Sequence, residues 1–257
     1  ILTDPKWMGL PKDKLWISVF EDDDEAEAIW LKHVKKERIL RMGAKDNFWA
    51  AGPTGPCGPC SEIYYDFGKE ADPSVREGDV ENGGDRYIEI WNNVFMQFDR
   101  DDAGVMTPLP RKNIDTGMGL ERLAAVKQGK LSNFETDLFK PIIDAVASEA
   151  SLVYGQDASK DWSLKVISDH LRGASFLIGD GVLPGNEGRG YVLRRILRRA
   201  VRHGRILGIR KTFLHGLFPA VQGIFASTYP ELSKRQNDIV DTLNDEEERF
   251  RRTLDTG

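Results

Sequence analysis

Apolar and polar residues alternate with two different periods along this chain, and the change of period divides it. Before about residue 130 the apolar runs are short and follow the period of two that half-buried strands show. Leu15-Trp16-Ile17-Ser18-Val19-Phe20 predicts a strand, and so do Ser61 to Phe67 and Leu109 to Thr116. Arg86 to Phe98 predicts the longest one. Its alternation puts Tyr87, Glu89, Trp91, Asn93, Phe95 and Gln97 on one face, and Ile88, Ile90, Asn92, Val94, Met96 and Phe98 on a face that looks like core. Ala26 to Arg41 carries Ile29, Trp30, His33, Val34 and Glu37 at helical spacing and predicts a helix led by the acids at 21–25. Between Gly52 and Pro59 three Gly and three Pro predict a shaped, irregular loop. Ala71 to Asp85 predicts a polar surface loop and Asp99 to Ala103 a turn.

From Phe134 onward the period is helical. Thr136 to Ser151, Leu164 to Ile178 and Tyr191 to Arg205 predict amphipathic helices, and further helices follow from Phe213 and from Leu232 to the end. The expected class is therefore α+β. An antiparallel sheet with helical cover occupies 1–130, and an all-α helical domain occupies 131–257.

Composition adds little to this until charge is mapped. The chain has 257 residues, 40% hydrophobic and 30% charged, with a net charge of −5, so no global basicity points to nucleic acid. Locally, however, Arg189 to Lys211 holds nine Arg or Lys and no Asp or Glu. The two cysteines, Cys57 and Cys60, make no disulfide framework, which points to a reducing compartment. No apolar run approaches the roughly 20 residues that span a bilayer. Because the chain opens on Ile1 and stops just after a strongly helical segment, it is expected to be part of a longer protein.

Candidate chemistry concentrates in Asn113 to Val126. Asp115, Gly117 and Gly119 share a strand face by period-two counting, and Arg122 follows in the first turn of a helix. Such a surface offers a carboxylate, two bare positions and a guanidinium, which suits a ligand with an amine at one end and phosphate at the other. The same residues also suit a Gly-rich turn with Arg122 in a surface ion pair. Glu89 and Asn92 fall on opposite faces unless a bulge intervenes; a bulge would bring both oxygens to one side, as a hard cation needs. Taken alone, Glu89 reads better as an ion-pair partner of an Arg or Lys on a neighbouring strand. Cys57-x-x-Cys60 lacks the second ligand pair that structural zinc wants and reads as buried thiols. His33 reads as an ordinary helix residue. Arg195, Arg198, Arg199 and Arg202 form one helix stripe that reads first as tracking a nucleic-acid backbone and otherwise as pairing internally with acids such as those of the C-terminal helix.

These motifs together carry a resemblance. Asp115-x-Gly117-Met118-Gly119-Leu120-Glu121-Arg122 resembles motif 3 of the class II aminoacyl-tRNA synthetases. With Asn47-Phe48-Trp49, the run from Thr54 to Glu62, Glu89-Ile-Trp-Asn92 and the run from Arg189 to Arg195, the whole chain resembles the alanyl-tRNA synthetases. That family joins alanine to ATP as alanyl-adenylate and then passes alanine to the 3′ end of tRNA(Ala). By the resemblance, Asp115 holds the alanine ammonium; Trp49, Asn92 and Val94 line the pocket; and Gly117 and Gly119 keep it small and admit ATP. Arg122 grips phosphate, Glu89 and Asn92 hold Mg2+, and Glu62 and Thr54 face the same cavity. The helical half becomes the acceptor-stem recognition domain. Asn186 stands at the position that reads a G·U pair, and Gly188 replaces the second Asn of many relatives. Arg189, Arg195, Arg198, Arg199 and Arg202 join it in binding tRNA. A cytoplasmic location is expected, with an organelle stroma or matrix as the alternative, and no membrane. A non-catalytic RNA-binding relative is the alternative function.

Nothing in the chain matches the family's motif 1, motif 2, zinc-holding editing domain or oligomerisation region. The isolated chain is therefore expected to give no alanine-dependent ATP–pyrophosphate exchange, a result that a radiolabelled exchange assay reads directly.

Overall fold

A computed structural model describes the backbone of residues 1–256 and the side chains of residues 1–254. It divides into two compact units, one covering Ile1–Asn133 and one beginning at Phe134.

The first unit is built on a six-stranded sheet. Its elements are β1 (Leu15–Phe20), α1 (Asp24–Trp30), β2 (Ile39–Met42), α2 (Ala44–Asn47), β3 (Phe48–Ala50), β4 (Gly55–Asp66), β5 (Tyr87–Arg100), β6 (Met106–Met118) and α3 (Leu120–Gln128). The strand order is β2-β1-β4-β5-β6, with β3 alongside β4. The sheet is mixed rather than wholly antiparallel, because β1 and β2 pair in parallel. The cause lies in the segment expected to be one long helix. Asp23 caps α1 by accepting from the Ala26 amide at 2.9 Å, yet α1 stops at Trp30. Ile39–Met42 then pairs with Ile17–Phe20, and sheet pairing overrides the local helical spacing. Arg41 of β2 reaches back to Asp24 at 2.7 Å and also to Glu27, fastening strand to helix.

β4 also corrects an expectation, for it runs through the segment predicted to be an irregular loop. Gly58 and Pro59 form an irregularity between Cys57 and Cys60, so Pro59 sits where the β4–β5 ladder is already broken. Backbone passes very close at this point: a Cβ on Gly58 would lie 2.1 Å from the Phe95 carbonyl oxygen. In β5, Ile63 pairs with Trp91 but Tyr64 pairs with Glu89, so Ile90 is an extra residue, a bulge. Asn92 and Val94, expected toward the core, consequently share a face with Glu89, while Trp91 and Phe95 pack on the core.

One sheet face packs Ile17, Val19, Ile63 and Ile90 against Ala26 of α1 and Leu123 and Val126 of α3. At one end of the opposite face Trp16, Met42 and Tyr87 pack with Val75 and Val80. The 71–85 segment is therefore anchored as well as polar: Arg86 pairs with buried Asp66 at 2.8 Å and donates to the Val75 carbonyl at 3.1 Å. The rest of that face carries Ser18, Asn47, Cys60 and Glu62, all buried and polar apart from the thiol.

In the second unit the α-helices are α4 (Lys140–Glu149), α5 (Ala158–Gly179), α6 (Gly188–Ile206), α7 (Leu214–Phe225), α8 (Glu231–Lys234) and α9 (Gln236–Thr256). α4 begins later than its periodicity suggested, with a proline in its first turn. Ile142, Val146, Leu164, Leu171, Leu193, Leu197, Phe218 and Leu243 meet in one core. Glu247 of α9, buried in this core, accepts from the Phe213 and Leu214 amides at 3.0 and 2.9 Å and so caps α7 from another helix. No helix among the described residues is long and apolar enough to cross a membrane.

Gly58→Ala is expected to destabilise the first unit by about 2 kcal/mol or more, since the strands must part to admit a methyl group. A urea melt followed by tryptophan fluorescence checks this.

Candidate functional site

Cross-strand pairing assembles one polar surface in the first unit. Glu62 of β4 pairs with Asn92 of β5, which pairs with Gly117 of β6. One row along, Cys60 pairs with Val94 and Val94 with Asp115. Directly paired residues face the same side. β3 adds Trp49 opposite Gly58. Together Trp49, Asn92, Val94, Asp115, Thr116 and Gly117 line an open pocket of about 240 Å³. Asp115 accepts from the Thr116 amide at 2.8 Å with one oxygen, and its second oxygen takes no protein hydrogen bond among the described residues. A Cβ on Gly117 would meet nothing within 4 Å, so the missing side chain leaves ligand space. Gly119 differs. It is the residue before α3, and a Cβ there would lie 3.2 Å from the Arg122 side chain, so its bareness admits Arg122 rather than widening the pocket.

Beside this pocket stands a cluster of acids and amides. Asn92 donates to Glu62 Oε1 at 2.9 Å, and the Tyr64 hydroxyl donates to the other Glu62 oxygen. Arg122, in the first turn of α3, donates to Glu89 Oε2 and to the Glu89 carbonyl, each at 2.9 Å. The ion pair that Glu89 suggested on its own is present, but its cation comes from the helix after β6. The Asn92 Oδ1 atom is buried and has no hydrogen-bond partner among the described residues. Burial pushes the Glu62 carboxyl up, and the Glu89 charge adds to this while Tyr64 and Arg122 work against it. Burial, with Glu62 next, pushes the Cys60 thiol to about 11, which keeps it protonated and inert. Both cysteines are free and buried within β4. Thr54 lies in the exposed turn before β4 and does not line the pocket.

α6 presents the second candidate surface. Arg195, Arg199 and Arg202 are exposed at i, i+4 and i+7, with Arg195 stacked on Tyr191. Arg198 leaves the stripe: it binds Glu246 of α9 at 2.9 Å, the internal pairing that the acidic last helix allowed. Asn186 and Arg189 are exposed at the start of α6, and Arg194 donates to the Asn186 side-chain oxygen.

The family model described as tRNA synthetases class II (A) matches residues 1–257. The chain belongs to this family. It is 57% identical over 252 residues to an Alanine–tRNA ligase of Acidithiobacillus ferridurans, covering 97% of the chain and 29% of the relative. It is 54% identical over 265 residues to the Alanine–tRNA ligase of Neisseria gonorrhoeae (100% and 30%) and 55% identical over 250 residues to that of Halorhodospira halophila (96% and 28%). The chain thus spans under a third of the length of these relatives.

Within this class II synthetase chain, several residues at these surfaces have roles that the sequence did not assign. Asn47 donates to Ser18 Oγ at 2.8 Å and to the Cys60 carbonyl at 3.0 Å, which fixes the start of β3 and so Trp49. Tyr64 stands two residues from Glu62, a period-two signal that could have been used. Arg194 lay in the basic run and Glu246 in the acidic last helix, but their specific pairing joins residues far apart in sequence.

His203 of α6 shares a hydrogen bond of 2.9 Å with Ser163 of α5. Burial first, then Arg199, His170 and Arg202, holds its pKa below the ordinary 6.5. As pH falls the unfolded chain takes up this proton first, so stability is lost below about pH 6.5. The melting temperature of the chain is expected to drop as pH falls through about 6.5, and His203→Gln to flatten that slope in thermal melts by circular dichroism.

Proposed function

We propose that the first unit carries the alanine and ATP site of an alanine–tRNA ligase and that the second carries its tRNA acceptor-stem face. The division follows the assignment of 1–130 to the C-terminal part of a catalytic domain and 131–257 to tRNA recognition. The observation that carries this reading is the pocket itself. It has one carboxylate, Asp115, with an oxygen available to an ammonium, and an empty position at Gly117 that leaves room for a very small side chain. Trp49 and Val94 bound the space, so a larger amino acid meets them.

In the reaction an alanine carboxylate oxygen attacks the α-phosphorus of ATP. The bond to pyrophosphate breaks, giving alanyl-adenylate; a ribose hydroxyl at the 3′ end of tRNA(Ala) then attacks the alanyl carbonyl, and AMP leaves with the bonding pair as the hydroxyl proton is released. Asp115 holds and orients the ammonium, and positioning of this kind is the main source of rate in such transfers. Arg122 supplies a guanidinium for phosphate oxygens, held ready by Glu89. Magnesium fits these residues: a hard cation takes oxygen ligands, and Asn92, beside the Glu62 and Glu89 carboxylates, offers a buried oxygen that takes no donor among the described residues. Glu89 and Asn92 would hold it, and when bound it would neutralise phosphate charge.

Arg189, Arg195, Arg199 and Arg202 form the proposed tRNA backbone contact, with Asn186 as the reader of the G·U pair. Arg198 supports the helix through Glu246 instead. Such an enzyme works where tRNA is charged, and we assign it to the cytoplasm.

Asp115→Asn in the complete enzyme is expected to cut alanine-dependent exchange about 100-fold, from loss of a charged hydrogen bond worth about 2–3 kcal/mol. Gly117→Ala should fold normally and raise the KM for alanine; near-wild-type kinetics in both variants would overturn the site. Neutralising Arg195, Arg199 and Arg202 together should flatten the log–log salt dependence of tRNA binding by roughly 2–3. A filter-binding series in salt tests that, and an unchanged slope returns the three arginines to ordinary solvated positions.

A further inference from the structure

Of the strands that wall the Asp115 pocket, β3 is the one that the sheet itself holds least. It has three residues, Phe48–Ala50, and among the described residues it pairs with β4 alone, facing Pro59, Gly58 and Cys57. Proline has no amide hydrogen, so this short ladder lacks one donor. Directly opposite Trp49 stands Gly58, which has no side chain to brace the indole from across the ladder. Yet Trp49 bounds the pocket beside Asn92, Val94 and Gly117.

The support comes from the residue just before β3. Phe48 makes an edge-to-face contact with Phe20, ring centres 5.7 Å apart. Ahead of it, Asn47 is 0% exposed, and its Nδ2 donates to Ser18 Oγ at 2.8 Å and to the Cys60 carbonyl at 3.0 Å. Both acceptors are themselves held. Cys60 lies in β4, and the Ser18 carbonyl accepts from Ser61 Oγ at 2.7 Å. Ser61 Oγ in turn accepts from Trp30 Nε1 at 2.8 Å. Four side chains thus link α1, β4 and β1 to the start of β3. Asn47 Oδ1 is buried and takes no hydrogen bond among the described residues. An amide here therefore costs stability at one end while its other end fixes a direction, which an apolar residue of similar size could not do.

We propose that Asn47, anchored on Ser18, is a positioning residue for the amino-acid pocket: it sets the place of the Trp49 indole and thereby the largest side chain that the pocket admits. The proposal rests on the reading of this pocket as the alanine site. Asn47 touches no substrate and acts through Trp49. One methylene in an apolar pocket is worth about 10–200-fold in kcat/KM, and that discrimination is available only while the wall stays in place. A supporting shell that lets a wall shift by about 1 Å gives it up.

The test uses the complete enzyme in amino-acid-dependent ATP–pyrophosphate exchange, with alanine and with L-2-aminobutyrate, one methylene longer. The readout is the ratio of their kcat/KM values, which does not move when a variant merely lowers the fraction of folded enzyme. Asn47→Ala is expected to raise the KM for alanine and to lower the ratio about tenfold. Ser18→Ala removes one of the two acceptors with little change of volume and lowers the ratio by a smaller factor; it decides the matter should Asn47→Ala fail to fold. An unchanged ratio in every one of these variants that folds, with kcat alone reduced, makes the Asn47 network merely structural and overturns the proposal. Trp49→Phe alters the wall directly and separates the two readings. If it lowers the ratio while the Asn47 and Ser18 variants do not, the positioning role falls and the alanine site stands. If Trp49→Phe also leaves the ratio unchanged, the reading of the pocket fails and takes this proposal with it.

Discussion

One extra residue in β5 controls the candidate active site. Ile90 adds a step between Glu89 and Trp91 without adding one to β4, so the strand turns over between them. Before the bulge Glu89 faces the same way as Tyr64 and Glu62; after it Asn92 and Val94 do. An unbroken strand would have sent Glu89 and Asn92 to opposite sides of the sheet. The same residue sets the helix that follows. Ile90 is buried in the core, and its carbonyl accepts from the Gly119 amide at 3.2 Å at the residue before α3. Arg122 is thereby delivered to Glu89. One bulge thus brings the Glu89 carboxylate, the Asn92 amide and the Arg122 guanidinium to the side of the sheet that carries Glu62.

The arginines show how burial decides what a charge does. Arg86 and Asp66 are almost wholly enclosed and tie the 71–85 segment to β4 and β5. Breaking such a pair would strand a charge in the interior. Arg122 and Glu89 are partly exposed, so solvent screens their attraction and a phosphate could take the guanidinium over. Arg198 stands between these cases, half-buried against the deeply buried Glu246. A stripe of four arginines therefore separates into three that face solvent and one that holds two helices together.

Much of this was legible without coordinates. The two periods located the boundary between a sheet-containing part and a helical part; β1, β5 and α6 lie where their patterns predicted, and α5 covers its predicted span but begins earlier, at Ala158. Asp115, Gly117, Asn92, Val94 and Trp49 were brought together by motif resemblance, and one pocket now contains them all. The failures share a cause. Ile39–Met42 has helical spacing but meets an open edge of β1, and Gly55–Cys60 has the composition of a loop but is sandwiched between β3 and β5. In both, a partner distant in sequence supplied hydrogen bonds that local preference could not foresee.

By itself the sequence determined the chemistry available: which residues could hold an ammonium, grip phosphate or face a nucleic acid, and which segments were apolar on one side. Tertiary structure alone decided which of these groups meet. The bulge at Ile90, the narrowing of Gly119's role to making room for Arg122, and the capture of Arg198 and Arg194 by Glu246 all depend on contacts between residues far apart along the chain. Periodicity reports which way a side chain points within its own element. It carries no information about what stands opposite.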